Sequence, residues 1–129
     1  MDKIDVVKKI QDIGVVAVIR GKNPEEAVAM SDACIAGGVT AIELAFTTPQ
    51  AHEAIEALSK KYADNPDVII GAGTVLDAVT ARIAILSGAQ FVVSPAFDLE
   101  TVKLCNRYRI AVMPGTTTLN GVLQALEAG

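Results

Sequence analysis

Glu43 stands inside the apolar run Val39-Thr-Ala-Ile-Glu-Leu-Ala-Phe46. A carboxylate in such a setting is costly to bury unless it is paired or protonated. Desolvation raises its pKa toward neutrality, which suits a proton shuttle. An ion pair with Arg20 inside the sheet is the structural alternative. Arg20 follows five apolar residues and precedes Gly21. Its planar fork fits a carboxylate or a phosphate, and equally it can stand solvated at a strand end. Gly71-Ala72-Gly73-Thr74 allows backbone to approach a ligand closely. It lacks the spacing of a dinucleotide fingerprint or a P-loop lysine, and also reads as a tight strand-to-helix turn. Ser94-Pro95 and Met113-Pro114-Gly115 fix strand ends. His52, the single histidine, cannot alone build a metal site or a nucleophile–base pair and reads as a surface residue. Cys34 and Cys105 lie far apart without metal-like spacing, as reduced thiols packed on helices.

These residues need strands and caps to hold them. Buried strands are expected at residues 15–19, 39–46, 68–70, 91–93 and 110–113, nearly continuous in apolarity, as in parallel strands covered on both faces. Their starts fall about 19–29 residues apart, one strand–helix unit each. Asn23-Pro24-Glu25-Glu26 supplies an N-cap, a proline at N1 and a capping-box Glu. Thr48-Pro49 is expected to repeat the cap and proline, and Asp77, Asp98 and Thr118 are further N-caps. Gly37-Gly38 and Gly88 mark helix ends. A leading helix over residues 4–13 carries Ile4, Val7, Ile10 and Ile13 at helical spacing.

Five parallel strands suit either an open doubly wound sheet or part of a barrel. Period-two alternation puts Ala41, Glu43 and Ala45 on one face of the second strand, and Ile42, Leu44 and Phe46 on the other. Small residues with one carboxylate suit a barrel interior, and the bulky face suits a helix layer. Polar and backbone-exposing residues gather at strand C-termini, where such folds keep their active sites. The reading is α/β: a single domain over residues 1–129 holding a leading helix and about five of the eight units of a (β/α)₈ barrel, cut before the sixth strand.

Composition narrows the partners. Of 129 residues, 51% are hydrophobic, so the chain can build a core and is not disordered. Eleven Lys and Arg against 15 Asp and Glu give a net charge of -4, which disfavours nucleic acid as the main partner. No apolar run approaches a membrane span. The charged N-terminus lacks a signal peptide's apolar core, so a cytoplasmic location is expected. Aromatic content is only 4% and Trp is absent, so the core must be aliphatic.

The segments ending at Arg20, spanning 37–49, 71–76 and 88–95, and Met113-Pro114-Gly115 together resemble one family, in order and with matching spacing. It is the 2-keto-3-deoxy-6-phosphogluconate / 4-hydroxy-2-oxoglutarate aldolases. The resemblance covers the whole chain. It implies a (β/α)₈ barrel, a homotrimer, a small 2-keto acid substrate, and class I aldol chemistry with no metal and no cofactor. A lysine on the sixth strand forms a Schiff base with the substrate ketone, and the iminium serves as electron sink. By the same resemblance Glu43 matches the catalytic glutamate, Arg20 and Thr74 match substrate-binding positions, and Pro95 contributes to the pocket wall. Some members carry an arginine at the position of Thr47. Here the carboxylate contact falls to Thr47, Thr74 or backbone amides.

The Schiff-base lysine is expected beyond Gly129. Lys3, Lys8, Lys9, Lys22, Lys60, Lys61 and Lys103 all fall on helices or helix-proximal loops, and the phosphate-binding loops after strands seven and eight are not among these residues. The chain on its own is therefore expected to be inactive. A non-catalytic barrel fragment or assembly module, and another phosphate-binding barrel enzyme, are the alternative readings.

Overall fold

The strands are short and mostly apolar, and the loop after each one ends at the N-cap of a helix. The computed structural model describes residues 1–129. The order is α1 (Lys3–Ile13), β1 (Ala17–Ile19), α2 (Pro24–Ala36), β2 (Ala41–Ala45), α3 (Ala51–Lys61), β3 (Ile69–Gly73), α4 (Ala78–Leu86), β4 (Phe91–Ser94), α5 (Leu99–Arg107), β5 (Ala111–Pro114) and α6 (Leu119–Ala128). All neighbouring strands are parallel, in the order β1-β2-β3-β4-β5. A doubly wound sheet reverses its order at a switch point. This sheet does not, so it is one arc of a β/α barrel.

The caps follow the sequence at four of five expected sites. Asn23, Asp77, Asp98 and Thr118 accept from the backbone N–H groups of Glu26, Thr80, Thr101 and Gly121. Glu26 reaches back one residue further than a capping box requires, accepting from the N–H of Lys22 at 2.5 Å. The fifth expectation fails. α3 is capped by Gln50, in the left-handed region at φ 53 and without a side-chain cap bond. Thr48 is buried, and its hydroxyl serves a different purpose described below.

The sheet's two faces hold separate cores. Outward-facing Ile42, Leu44, Ile70, Ala72 and Val92 pack beneath the helices, with Ala54, Ile55 and Leu58 of α3 and Ala81 and Ala84 of α4. On the concave face, Ile69, Phe91 and Ala111 meet Val6, Ile10 and Ile13 of α1. The leading helix thus closes the end of the arc where the strands begin. Its buried stripe runs through Val6, Ile10 and Ile13, whereas Ile4 and Val7 are exposed, contrary to the spacing expected from sequence. No helix is long and apolar enough to cross a membrane.

Candidate active site

Glu43 lies at the centre of β2, paired in register with Gly71 of β3. It is 8% exposed and shares the concave face with Ala41 and Ala45, as the alternation requires. Its side chain lies across Gly73. A Cβ built on Gly73 would overlap Glu43 Oε1, and one built on Gly71 would overlap the ring of Phe91. β3 therefore presents two bare backbone positions, each covered by a side chain from a flanking strand.

No donor of the chain bonds the Glu43 carboxylate and no cation comes within ion-pair distance. Neither oxygen is sealed away without a partner, so they look onto the open concave side. Burial pushes the carboxyl pKa up, and the Arg20 guanidinium opposes part of that rise from a distance. Glu43 is therefore not locked into a structural ion pair. A carboxyl that holds its proton more tightly than usual, and has no internal partner, is suited to giving and taking one.

The other expected residues sit on loops at the same edge. Arg20 and Thr47 follow β1 and β2 and are exposed, Thr74 follows β3 and is half-buried, and Pro95 follows β4 and is exposed. One hydrogen bond per neighbouring pair stitches these ends together. The Gly21 N–H donates to Thr48 Oγ1 at 3.0 Å. The N–H groups of Phe46, Val75 and Gly115 donate to the carbonyls of Gly73, Val93 and Ser94. Thr74 has φ 55, a region that a β-branched residue rarely occupies and that costs about 1–3 kcal/mol. The strain falls at the residue that follows the end of β3, next to the Gly73 that Glu43 covers. Beside Pro95, a concavity of about 220 Å³ is lined by Gly115 and Thr116 to Thr118.

Thr48 and Gly73 are the positions that sequence reasoning undervalued. Thr48-Pro49 resembles a helix start, but the third residue after Thr48 is Ala51, not the Glu or Gln of a capping box. That absence was the available signal. For Gly73 the sequence shows a need for bare backbone without saying which side chain lies across it. A larger concavity, about 550 Å³, lies at the opposite end of the sheet, lined by Ser59, Tyr62, Asn65 and Gln90 among others. Ser59 and Gln90 are already engaged there, with the Gly88 carbonyl and the Ile70 N–H. In barrels that end serves stability, and the strand C-termini serve chemistry. Cys105 is buried, and burial pushes its thiol up to about 11, which makes it inert rather than nucleophilic.

The family model for KDPG and KHG aldolase matches residues 6–129. The 2-dehydro-3-deoxy-phosphogluconate aldolase of Treponema pallidum (strain Nichols) is 36% identical over 126 residues, 98% of this chain and 59% of that protein. KDPG aldolase from Legionella pneumophila, solved with pyruvate captured at low pH as a covalent carbinolamine intermediate, aligns with a TM-score of 0.76 at 31% identity, over 88% of this chain and 53% of that one. A cube-shaped, highly porous protein cage designed by fusing symmetric oligomeric domains aligns with a TM-score of 0.80 at 35% identity, over 88% of this chain and 42% of that one. The chain spans 59% or less of the length of each of these proteins. With a barrel arc that carries a buried carboxylate on its concave face, and a family match running from residue 6 to residue 129, this chain belongs to the KDPG and KHG aldolase family.

Proposed function

We propose that the protein is a class I, Schiff-base aldolase. It would cleave 2-keto-3-deoxy-6-phosphogluconate to pyruvate and glyceraldehyde 3-phosphate, 4-hydroxy-2-oxoglutarate to pyruvate and glyoxylate, or both. The observation that carries this reading is Glu43, buried over Gly73 with its pKa raised and no internal partner. Family membership supplies the substrate class, and the capture of pyruvate as a carbinolamine in the Legionella relative supports the covalent route.

None of the seven lysines lies on a strand. The reaction therefore requires a lysine brought to Glu43 across the concave face, as a sixth barrel strand would bring it. Its amine attacks C2 of the keto acid to give a carbinolamine. Protonated Glu43 gives its proton to the departing hydroxyl, water leaves, and an iminium forms. The Glu43 carboxylate then accepts the C4 hydroxyl proton. The C3–C4 bond breaks, its electron pair moves into the iminium, and an aldehyde departs. The enamine left behind takes a proton at C3 and is hydrolysed to pyruvate. Arg20 holds the anionic end of the substrate, Thr47 and Thr74 share its carboxylate, and Pro95 forms part of the wall. We propose further that the working unit is a cytoplasmic homotrimer.

Two measurements on the intact protein test this. Borohydride added with pyruvate should leave a pyruvyl adduct on one lysine. Glu43→Gln should slow retro-aldol cleavage by ~10²–10⁴ with the fold unchanged by circular dichroism. Turnover without any trappable adduct would overturn the class I route, and near-normal turnover in the variant would make Glu43 structural.

A further inference from the structure

The concave face is built in rows, one residue from each strand. Ala45 stands beside Gly73, and Val93 beside Met113. The Ala72–Val92 pairing joins the two, so Gly73 stands beside Val93. In the other direction the row runs on from Ala45 to Arg20, because Ile19 pairs with Leu44. Glu43 rises from the row below, and its carboxyl covers Gly73. Toward β5, the next two side chains are therefore Val93 and Met113. Neither brings a charge or a strong hydrogen-bonding group. Val93 packs on the concave-face core, and Met113 is 36% exposed. Beneath them Phe91 and Ala111 are fully buried, so the floor also lacks a polar side chain.

The place of that apolar pair gives it a task. In an eight-stranded barrel the sixth strand stands opposite the second and next to the fifth. A lysine there and Glu43 face each other, with β3, β4 and β5 along one flank between them. Neighbouring strands lie about 4.8 Å apart. Val93 is thus one strand away from the carboxyl over Gly73, and Met113 is two. The lysine holds C2 of the keto acid, and Glu43 takes the proton of the C4 hydroxyl. C3 lies between those two carbons, and so beside Val93 and Met113.

We infer that Val93 and Met113 select the keto acid at C3, admitting a carbon that carries only hydrogen. This role rests on the aldolase reading. A C3 hydroxyl would give up its water and find no partner on this flank. A C3 methyl would have to displace the Met113 side chain. Polar groups are kept for the other end of the row, where Arg20 stands, and for the loops that carry Thr47 and Thr74. Neither Val93 nor Met113 moves a proton, so both act on substrate choice and not on the chemical step.

Exchange of C3 hydrogens in deuterium oxide tests it on the intact protein. The iminium loses a C3 proton to give the enamine, and the enamine takes back a deuteron, with no aldehyde needed. Proton NMR reads the rate for pyruvate, for 2-oxobutanoate, which adds a C3 methyl, and for 3-hydroxypyruvate. The unaltered protein should prefer pyruvate to both. Met113→Ala should raise kcat/KM for 2-oxobutanoate relative to pyruvate by ~10-fold or more. Met113→Leu keeps the volume and should leave that ratio in place. Val93→Thr keeps the shape, adds a hydroxyl, and should favour 3-hydroxypyruvate about fivefold relative to pyruvate. A merely structural role would lower all three rates together. Where the unaltered protein exchanges pyruvate, unmoved ratios in Met113→Ala and Val93→Thr overturn the inference and leave the aldolase reading standing. No exchange with pyruvate overturns both. If Met113→Ala loses its helical signal, the ratio in Val93→Thr decides alone.

Discussion

β2 and β3 obey opposite rules on their two sides. Outward, Ile42, Leu44 and Ile70 fill the space beneath the helices, and each is essentially inaccessible to water. Inward, the same strands carry Ala41, Ala45, Gly71 and Gly73 around a single carboxylate. One face adds side chains to close-pack a core. The other removes them, so that Glu43 and Phe91 can lie across bare backbone. Stability and chemistry are thus held by alternate residues of the same strands. Substitutions one position apart should therefore register in different measurements.

The largest expected effect is on the outward face. Leu44→Ala should destabilise the fold by about 2–5 kcal/mol, because the packed helix layer cannot close the cavity. Chemical unfolding measures this, and a loss below about 1 kcal/mol would mean that the layer relaxes freely. One position past the register partner of Leu44 on the neighbouring strand, Gly73→Ala should act on chemistry instead. The added methyl displaces the Glu43 carboxyl, and a misplacement near 1 Å costs roughly 10²-fold in turnover. Carboxyl-carbon NMR should show the Glu43 pKa falling toward the ordinary glutamate range as the group moves into water. An unmoved titration would mean that Glu43 has a second seat.

A smaller effect is expected where the two strand ends are joined. Thr48→Val keeps the shape of the buried side chain and leaves the Gly21 N–H without its acceptor. The cost should be about 1 kcal/mol in stability. Because Gly21 follows Arg20, the intact enzyme should show a higher KM with kcat little changed. A fall in kcat at constant KM would place Thr48 nearer the reacting atoms than this geometry does.

Much of this division is legible in the sequence. Period-two alternation in residues 41–46 separates the faces, and it identified Glu43 as the inward carboxylate. The parallel order also follows, since each strand is followed by a capped helix long enough to cross back. Three features were not legible, for physical reasons. Hydrophobic spacing in α1 fits both Ile4–Val7 and Val6–Ile10 as the buried stripe, and only docking against Ile69 and Phe91 decides between them. Thr48 has the local chemistry of a cap, but a tertiary bond to Gly21 claims its hydroxyl. The absence of an Arg20–Glu43 ion pair depends on distances that no sequence pattern fixes.

The smallest expected effect is the one that distinguishes a poised Glu43 from a merely buried one. Burial raises its folded pKa above the ordinary value of 4.5, and Arg20 only partly offsets that rise. Below 4.5 both folded and unfolded chains hold this proton, and Glu43 contributes its full stability. As pH rises through the raised folded value, the unfolded chain has already released the proton while the folded chain must keep it or bury a charge. Stability is lost across that window. Glu43→Gln has no proton to lose, so its stability relative to the unaltered chain should be nearly constant at acid pH and should increase toward neutrality. Urea midpoints of the two proteins, taken from about pH 4 to pH 8, measure the difference. Asp2, Asp32 and Glu56, whose pKa values are lowered by their hydrogen bonds and nearby cations, titrate alike in both proteins and cancel. If the unaltered chain instead gains on the variant as pH rises, Arg20 holds Glu43 as a carboxylate. The inward face would then be a structural ion pair like any other, and the contrast between the two sides of β2 would be one of size alone.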